Sequence, residues 1–162
     1  MNRRNLGQGA VSGLLGGLGF GIMIQMMGTI PAIGKAAGLP GVLGGWAVHL
    51  VVAAAMGMIF ALFLRHRVHG YPSGMVAGAL YGGAWWLVGP VSTMTLLLGM
   101  ELGPGLGMKA GAGVATGALP GMAGHLVYGA VLGLAYARLS VWRLQRRSPR
   151  RRARLSRLGR VG

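Results

Sequence analysis

Residues 42–64 read VLGGWAVHLVVAAAMGMIFALFL, a stretch with no Asp, Glu, Lys or Arg. A helix needs about 20 apolar residues to cross a hydrocarbon core of about 30 Å. This stretch has the length, and a strand would end after about 4–8 residues. Working outward, the same property recurs. Residues 5–34, 36–64, 68–100 and 110–137 are all uncharged runs. Each is long enough for one crossing and too short for two. Lipid offers backbone N–H and C=O groups no partners, so each crossing is expected to be a helix. The runs predict spans near 7–29, 42–64, 74–98 and 119–139. Together they make a four-helix transmembrane domain over residues 1–139, followed by an Arg-rich tail over 140–162.

Composition points the same way. Of 162 residues, 53% are hydrophobic and 10% charged, with a mean hydropathy of +0.58. Soluble domains carry about 25% charged residues. These numbers argue against a soluble enzyme, a disordered chain and a coiled coil, and they favour an integral membrane protein. The chain has no cysteine, which excludes disulfides, thiolate metal sites and cysteine nucleophiles.

The charges fall on one side. If four spans leave both ends on one face, that face holds Arg3, Arg4, Arg65, Arg67, Arg138 and the nine arginines from Arg143 to Arg160. The other face holds only Lys35 and Lys109. The positive-inside rule then puts both termini in the cytoplasm. The first apolar stretch is longer than a signal-peptide core and lacks a small-x-small cleavage site, so it reads as an uncleaved helix.

The chain also repeats itself. A shift of 65 places Gly9, Val11, Gly13, Leu15 and Gly17 on Gly74, Val76, Gly78, Leu80 and Gly82. A shift of 76 places His49, Leu50, Val51, Ala54 and Gly57 on His125, Leu126, Val127, Ala130 and Gly133. Both copies run in–out–in, so the repeats are parallel. The expected fold class is all-α membrane, built from two tandem-duplicated helical hairpins.

Small residues recur every fourth position. The first helix carries Gly9, Gly13, Gly17 and Gly21, and the third carries Gly74, Gly78 and Gly82. The second carries Ala53, Gly57 and Ala61, and the fourth Gly129, Gly133 and Ala137. Helices in lipid associate by close backbone approach, which such stripes permit. The stripes are read as packing faces. Gly89-Pro90 lies within the third span, where proline predicts a kink.

Candidates for chemistry are few. His49 and His125 occupy equivalent repeat positions on the small-residue faces. An ionisable residue inside a span is a functional candidate. The pair is a candidate ligand set for a haem or a metal; alternatively each imidazole bonds a carbonyl of a neighbouring helix. Glu101 is the only acid, which excludes a paired-carboxylate mechanism. Met23, Met26, Met27, Met56 and Met58 suit gap filling better than Cu(I). Gln25, Ser92, Thr93 and Thr95 complete the only polar path a small transporter would have. No GxxxxGK[ST], GxSxG or HExxH occurs, so no enzyme activity and no resident cofactor are expected.

The tail is a basic cluster that includes Arg143, Arg146, Arg147, Arg150, Arg151 and Arg152. Such juxtamembrane clusters bind anionic headgroups, at about 1 kcal/mol per residue near the surface. Nucleic acid is not expected, because the aromatic platforms for single strands are missing. Ser148-Pro149 is expected to break any helix there. The partners expected are the bilayer, its anionic headgroups, and a second copy or larger membrane complex.

Two segments carry a resemblance. One is Tyr81-Gly-Gly-Ala-Trp85-Trp86-Leu-Val-Gly89-Pro90 through Leu98-Gly99-Met100. The other is Gly124-His125-Leu-Val-Tyr128-Gly129-Ala-Val-Leu-Gly133-Leu-Ala-Tyr136. The second half of the chain resembles an uncharacterised class of small bacterial four-helix integral membrane proteins. That resemblance implies a multi-pass protein of the bacterial cytoplasmic membrane and no particular activity.

Overall fold

The computed structural model describes the backbone of residues 3–98 and 119–158, and the side chains of residues 3–88 and 121–140. All regular elements among the described residues are helical: α1 (Arg3–Met26), α2 (Ile30–Ala36), α3 (Val42–Phe63), α4 (Tyr71–Leu98) and α5 (Leu119–Leu158). A short 3-10 turn, Arg65–Arg67, joins α3 to α4. α1 and α3 are each long and apolar enough to cross a membrane.

Three features differ from the sequence reading, each for a local reason. α1 ends at Met26 rather than near residue 29. Gly28 takes φ 72°, its N–H bonds Gln25 O at 2.9 Å, and Thr29 N–H bonds Ile24 O at 2.9 Å. This is a Schellman stop, which satisfies the last carbonyls and needs a left-handed residue. The outer connection then folds into α2, which was not expected. Pro31 sits in its first turn, where its fixed φ suits a helix start and its missing donor costs nothing. Ile30 is fully buried, and Gly34 packs against the carbonyl of Leu39 and the start of α3 at Gly45.

The third difference is in the tail. Ser148-Pro149 does not break the helix, and α5 runs on to Leu158. An interior proline costs about 3 kcal/mol. The neighbouring Arg, Leu and Gln residues are strong helix formers, and water can satisfy the carbonyl that proline frees. The tail therefore begins as a continuation of the last helix rather than as a separate segment. α4 likewise stays helical through Gly89-Pro90.

Two helix pairs pack by close backbone approach. In α1–α3, a Cβ placed on Gly9 would lie 2.7 Å from the Ala61 Cβ, and one on Gly13 would lie 2.9 Å from the Gly57 Cα. In α4–α5, a Cβ on Gly74 would lie 2.6 Å from Gly133 O and 2.9 Å from the Ala137 Cβ, and one on Gly78 would lie 3.0 Å from the Gly133 Cα. Real Cβ atoms essentially never come closer than 3.0 Å to such neighbours. Shifts of 65 and 76 convert the first set of contacts into the second.

α1 has a second packing face, turned to α5. A Cβ on Gly16 would meet Tyr128 O at 2.7 Å, and Gly124 lies beneath Phe20 and Met23. Gln8 Nε2 donates to Leu139 O at 3.0 Å. On the far side, aromatic rings fill the space between α3 and α4. Phe60 meets Tyr81 at 5.4 Å and Tyr136 at 5.7 Å between ring centroids, both edge-on. Tyr81 Oη donates to Met56 O at 2.7 Å.

Candidate functional site

His49 sits on α3 and faces α1. Its Nε2–H donates to Gly17 O at 2.9 Å. Gly17 has no side chain, so the imidazole can reach the helix backbone. Phe20 and Trp46 stand edge-on to the ring at 5.8 Å and 6.0 Å. Trp46 Nε1–H in turn donates to Gln25 Oε1 at 3.2 Å. The Gln25 side chain is thus tied to the start of α3.

His125 does something different. Its Nδ1–H donates to Gly121 O at 2.8 Å, one turn earlier on its own helix. Its ring meets the opposite side of the repeat through Phe20, at 4.7 Å. The position equivalent to Gly17 is Gly82, and there the α5 backbone has come too close for an imidazole to enter: a Cβ on Gly82 would collide with the His125 carbonyl.

With one nitrogen of each neutral ring donating to a carbonyl, the other is left as an acceptor. Ligating histidines often have such a second-shell bond. A metal centre needs further donors, however, and no group of three His, Cys, Asp or Glu residues converges among the described residues. An axial haem pair needs both imidazoles free to approach one iron. Here both meet the same Phe20 ring. Among the described residues, the contacts the two imidazoles make are helix-positioning contacts.

The small residues singled out from sequence all lie at two interfaces. Gly9, Gly13, Gly17 and Gly21 meet α3 at Trp46, His49, Ala53, Gly57 and Ala61. Gly74, Gly78 and Gly82 meet α5 at His125, Gly129, Gly133 and Ala137. The sequence reading missed the α1–α5 contact. Its signal was present in the four-residue spacing of Gln8, Ser12, Gly16 and Phe20. It also missed Tyr128, whose Oη donates to Ala53 O at 3.0 Å and ties α5 to α3. Ser12 is fully buried, and its Oγ has no hydrogen-bond partner among the described residues.

Charge is segregated along the bundle. The contacts Gln8–Leu139, Gly9–Ala61 and Gly74–Ala137 bring one end of each long helix together. Exposed Arg3, Arg4, Arg65, Arg67 and Arg138 belong to that end, with His66 and His69. Lys35, exposed on α2, belongs to the other. The tail residues Arg143, Arg146, Arg147, Arg150, Arg151 and Arg152 lie on the α5 backbone, and their side chains lie outside the described residues. So do the side chains of Ser92, Thr93 and Thr95, and all of residues 99–118, including Glu101 and Lys109.

No protein-family model, curated protein or solved structure matches the chain.

Proposed function

We propose that this chain is a non-enzymatic integral membrane protein of four spans, with both termini cytoplasmic, acting as a small helix-packing assembly or an accessory subunit of a larger membrane complex. The observation that carries this reading is the outer surface of the bundle. Large apolar side chains are exposed on every long helix: Ile22 on α1, Val51 on α3, Leu80 on α4 and Val127 on α5, each more than half exposed. Large apolar side chains exposed on every long helix are costly in water. Lipid is the solvent that suits it.

The inward faces support the same reading. They are lined by glycine, alanine and aromatic residues, and the side chains of His49, Tyr81, His125 and Tyr128 bond backbone carbonyls. Among the described residues, that chemistry holds helices together. Arg138 and the first tail arginines, at the charged end, would pair with anionic headgroups.

The chain has no cysteine, so single cysteines report topology cleanly. Lys35→Cys should react with a membrane-impermeant maleimide in intact cells. Ser156→Cys should react only after permeabilisation. Equal labelling of both in intact cells would overturn the topology.

A further inference from the structure

The interior of the bundle is filled differently at its two ends. Toward the arginine end, Ser12, Phe60 and Leu132 are fully buried. Toward the other end, Phe20, Gln25, Trp46, His49, Trp86 and His125 are only partly buried. These side chains follow one another across the bundle. Gln25 accepts from Trp46 at 3.2 Å. Trp46 stands edge-on to His49, His49 to Phe20, and Phe20 to His125, with ring centroids 6.0, 5.8 and 4.7 Å apart. His125 bonds Gly121 O, and Trp86 Nε1 lies 3.4 Å from where a Gly121 Cβ would be. α3 begins at Val42 and α5 at Leu119, so both imidazoles lie about 10 Å inside the ends of their helices.

Four nitrogens in this row have no hydrogen-bond partner among the described residues: Gln25 Nε2, His49 Nδ1, Trp86 Nε1 and His125 Nε2. Ser12 Oγ is the one side-chain polar atom, among the described residues, that is both fully buried and unpartnered. The four nitrogens are therefore within reach of a small molecule. The repeat supplies one imidazole acceptor from each hairpin. It does so although the two rings bond in different ways, His49 through Nε2 and His125 through Nδ1.

We infer that this row borders a blind hydrated crevice, a water site shared by His49 and His125. The chemistry of the four atoms selects the occupant. The two imidazole nitrogens accept, whereas the Gln25 amide and the Trp86 indole donate. An anion would face two lone pairs, and a cation would face two N–H groups. Water donates and accepts, so it can bond both kinds. Polar atoms shut away from water without partners are costly, and waters inside proteins typically make about three bonds to such groups. The crevice is blind because Phe60 and Leu132 close the interior beyond it.

The inference rests on the membrane reading, since in water every outer face would be wet. Val51 and Val127 supply the control. They lie two residues, about 3 Å, further along the same helices, on outward faces where they are 69% and 51% exposed. The two histidines and the two valines thus share one level of the bundle and differ in face. The chain has no cysteine, so each of the four positions is changed singly to Cys in the full chain, in phosphatidylcholine nanodiscs. A small water-soluble methanethiosulfonate reagent is added. It reacts with the thiolate, which forms only where water reaches.

His49→Cys and His125→Cys should react at least tenfold faster than Val51→Cys and Val127→Cys. Slow reaction at all four would overturn the inference and leave the membrane reading standing. Fast reaction at all four would overturn both. Fast reaction at only one histidine position would overturn the sharing of one crevice. A second measurement keeps the native side chains. In wild-type protein labelled with 15N-histidine, in bilayers, magnetisation should pass from water to the ring protons of His49 and His125. No such transfer would overturn the inference even where a cysteine variant fails to fold.

Discussion

The two hairpins, α1–α3 and α4–α5, have the same glycine contacts in the same register, yet they meet each other asymmetrically. The first helix of one and the second helix of the other come together through Gly16 and the backbone of Tyr128. The pseudo-equivalent pair, α4 and α3, is held apart. The position equivalent to Gly16 is Tyr81, whose ring fills the gap beside Phe60 and whose hydroxyl reaches Met56 O. One glycine-for-tyrosine difference thus sets one side of the bundle closed and the other filled. The histidines diverge in the same way. His49 bonds across to α1, while closer packing turns His125 back on its own helix.

The largest break should come from the shared contacts. Gly13→Leu and Gly78→Leu each drive a side chain into a facing helix backbone. Each should cost at least the upper end of the 1–3 kcal/mol typical of overpacking, and both should abolish the folded bundle in a reversible unfolding assay in mild detergent. Similar losses at the two positions would mean that the hairpins are energetic as well as geometric copies. A large loss at only one would show that the other hairpin does not depend on close approach.

The asymmetric contact should show a smaller effect. Gly16→Ala places a methyl 2.7 Å from Tyr128 O, where backbone must shift. About 1–3 kcal/mol of destabilisation is expected. Gly19→Ala, on the same helix, meets nothing within 4 Å and should be neutral or slightly stabilising. Equal effects in the same assay would remove the α1–α5 contact as the source of the asymmetry.

The smallest effect should have the opposite sign. Ser12 is buried with no bond to its Oγ, and the equivalent residue in the second hairpin is Ala77. Ser12→Ala removes an unsatisfied hydroxyl and should stabilise by about 1 kcal/mol. A loss of stability on the same scale would show that the hydroxyl does have a hydrogen-bond partner within the bundle.

Much of the helical organisation was legible in the sequence, because its cause is one-dimensional. Uncharged runs of membrane length can be counted between Arg4, Lys35, Arg65, Arg67, Glu101, Lys109 and Arg138. α3 starts at Val42, where the apolar run of 42–64 places it. The end of α1 was not legible. Gly28 stops the helix, but glycine occurs so often in this chain that one glycine gives no signal by itself. The tail helix was hidden for the opposite reason. Pro149 is a strong local signal against helix, and it was outweighed by its neighbours. For the candidate site, the histidines were legible as a pair but their bonds were not, since His49 and His125 have nearly identical local sequences and different neighbours.

What the sequence determined by itself is therefore what depends on composition and spacing. That comprises helices rather than strands, apolar outward surfaces, arginine gathered at one end, and small residues at four-residue intervals. Tertiary structure alone decided which helix each stripe meets, that α1 packs on two partners at once, and that one imidazole crosses to the next helix while its counterpart does not. Spacing fixes which side chains share a face. Which face is buried, and how closely, follows only from the shape of the helix opposite, where a single Gly16 or Tyr81 changes the distance at which two backbones can meet.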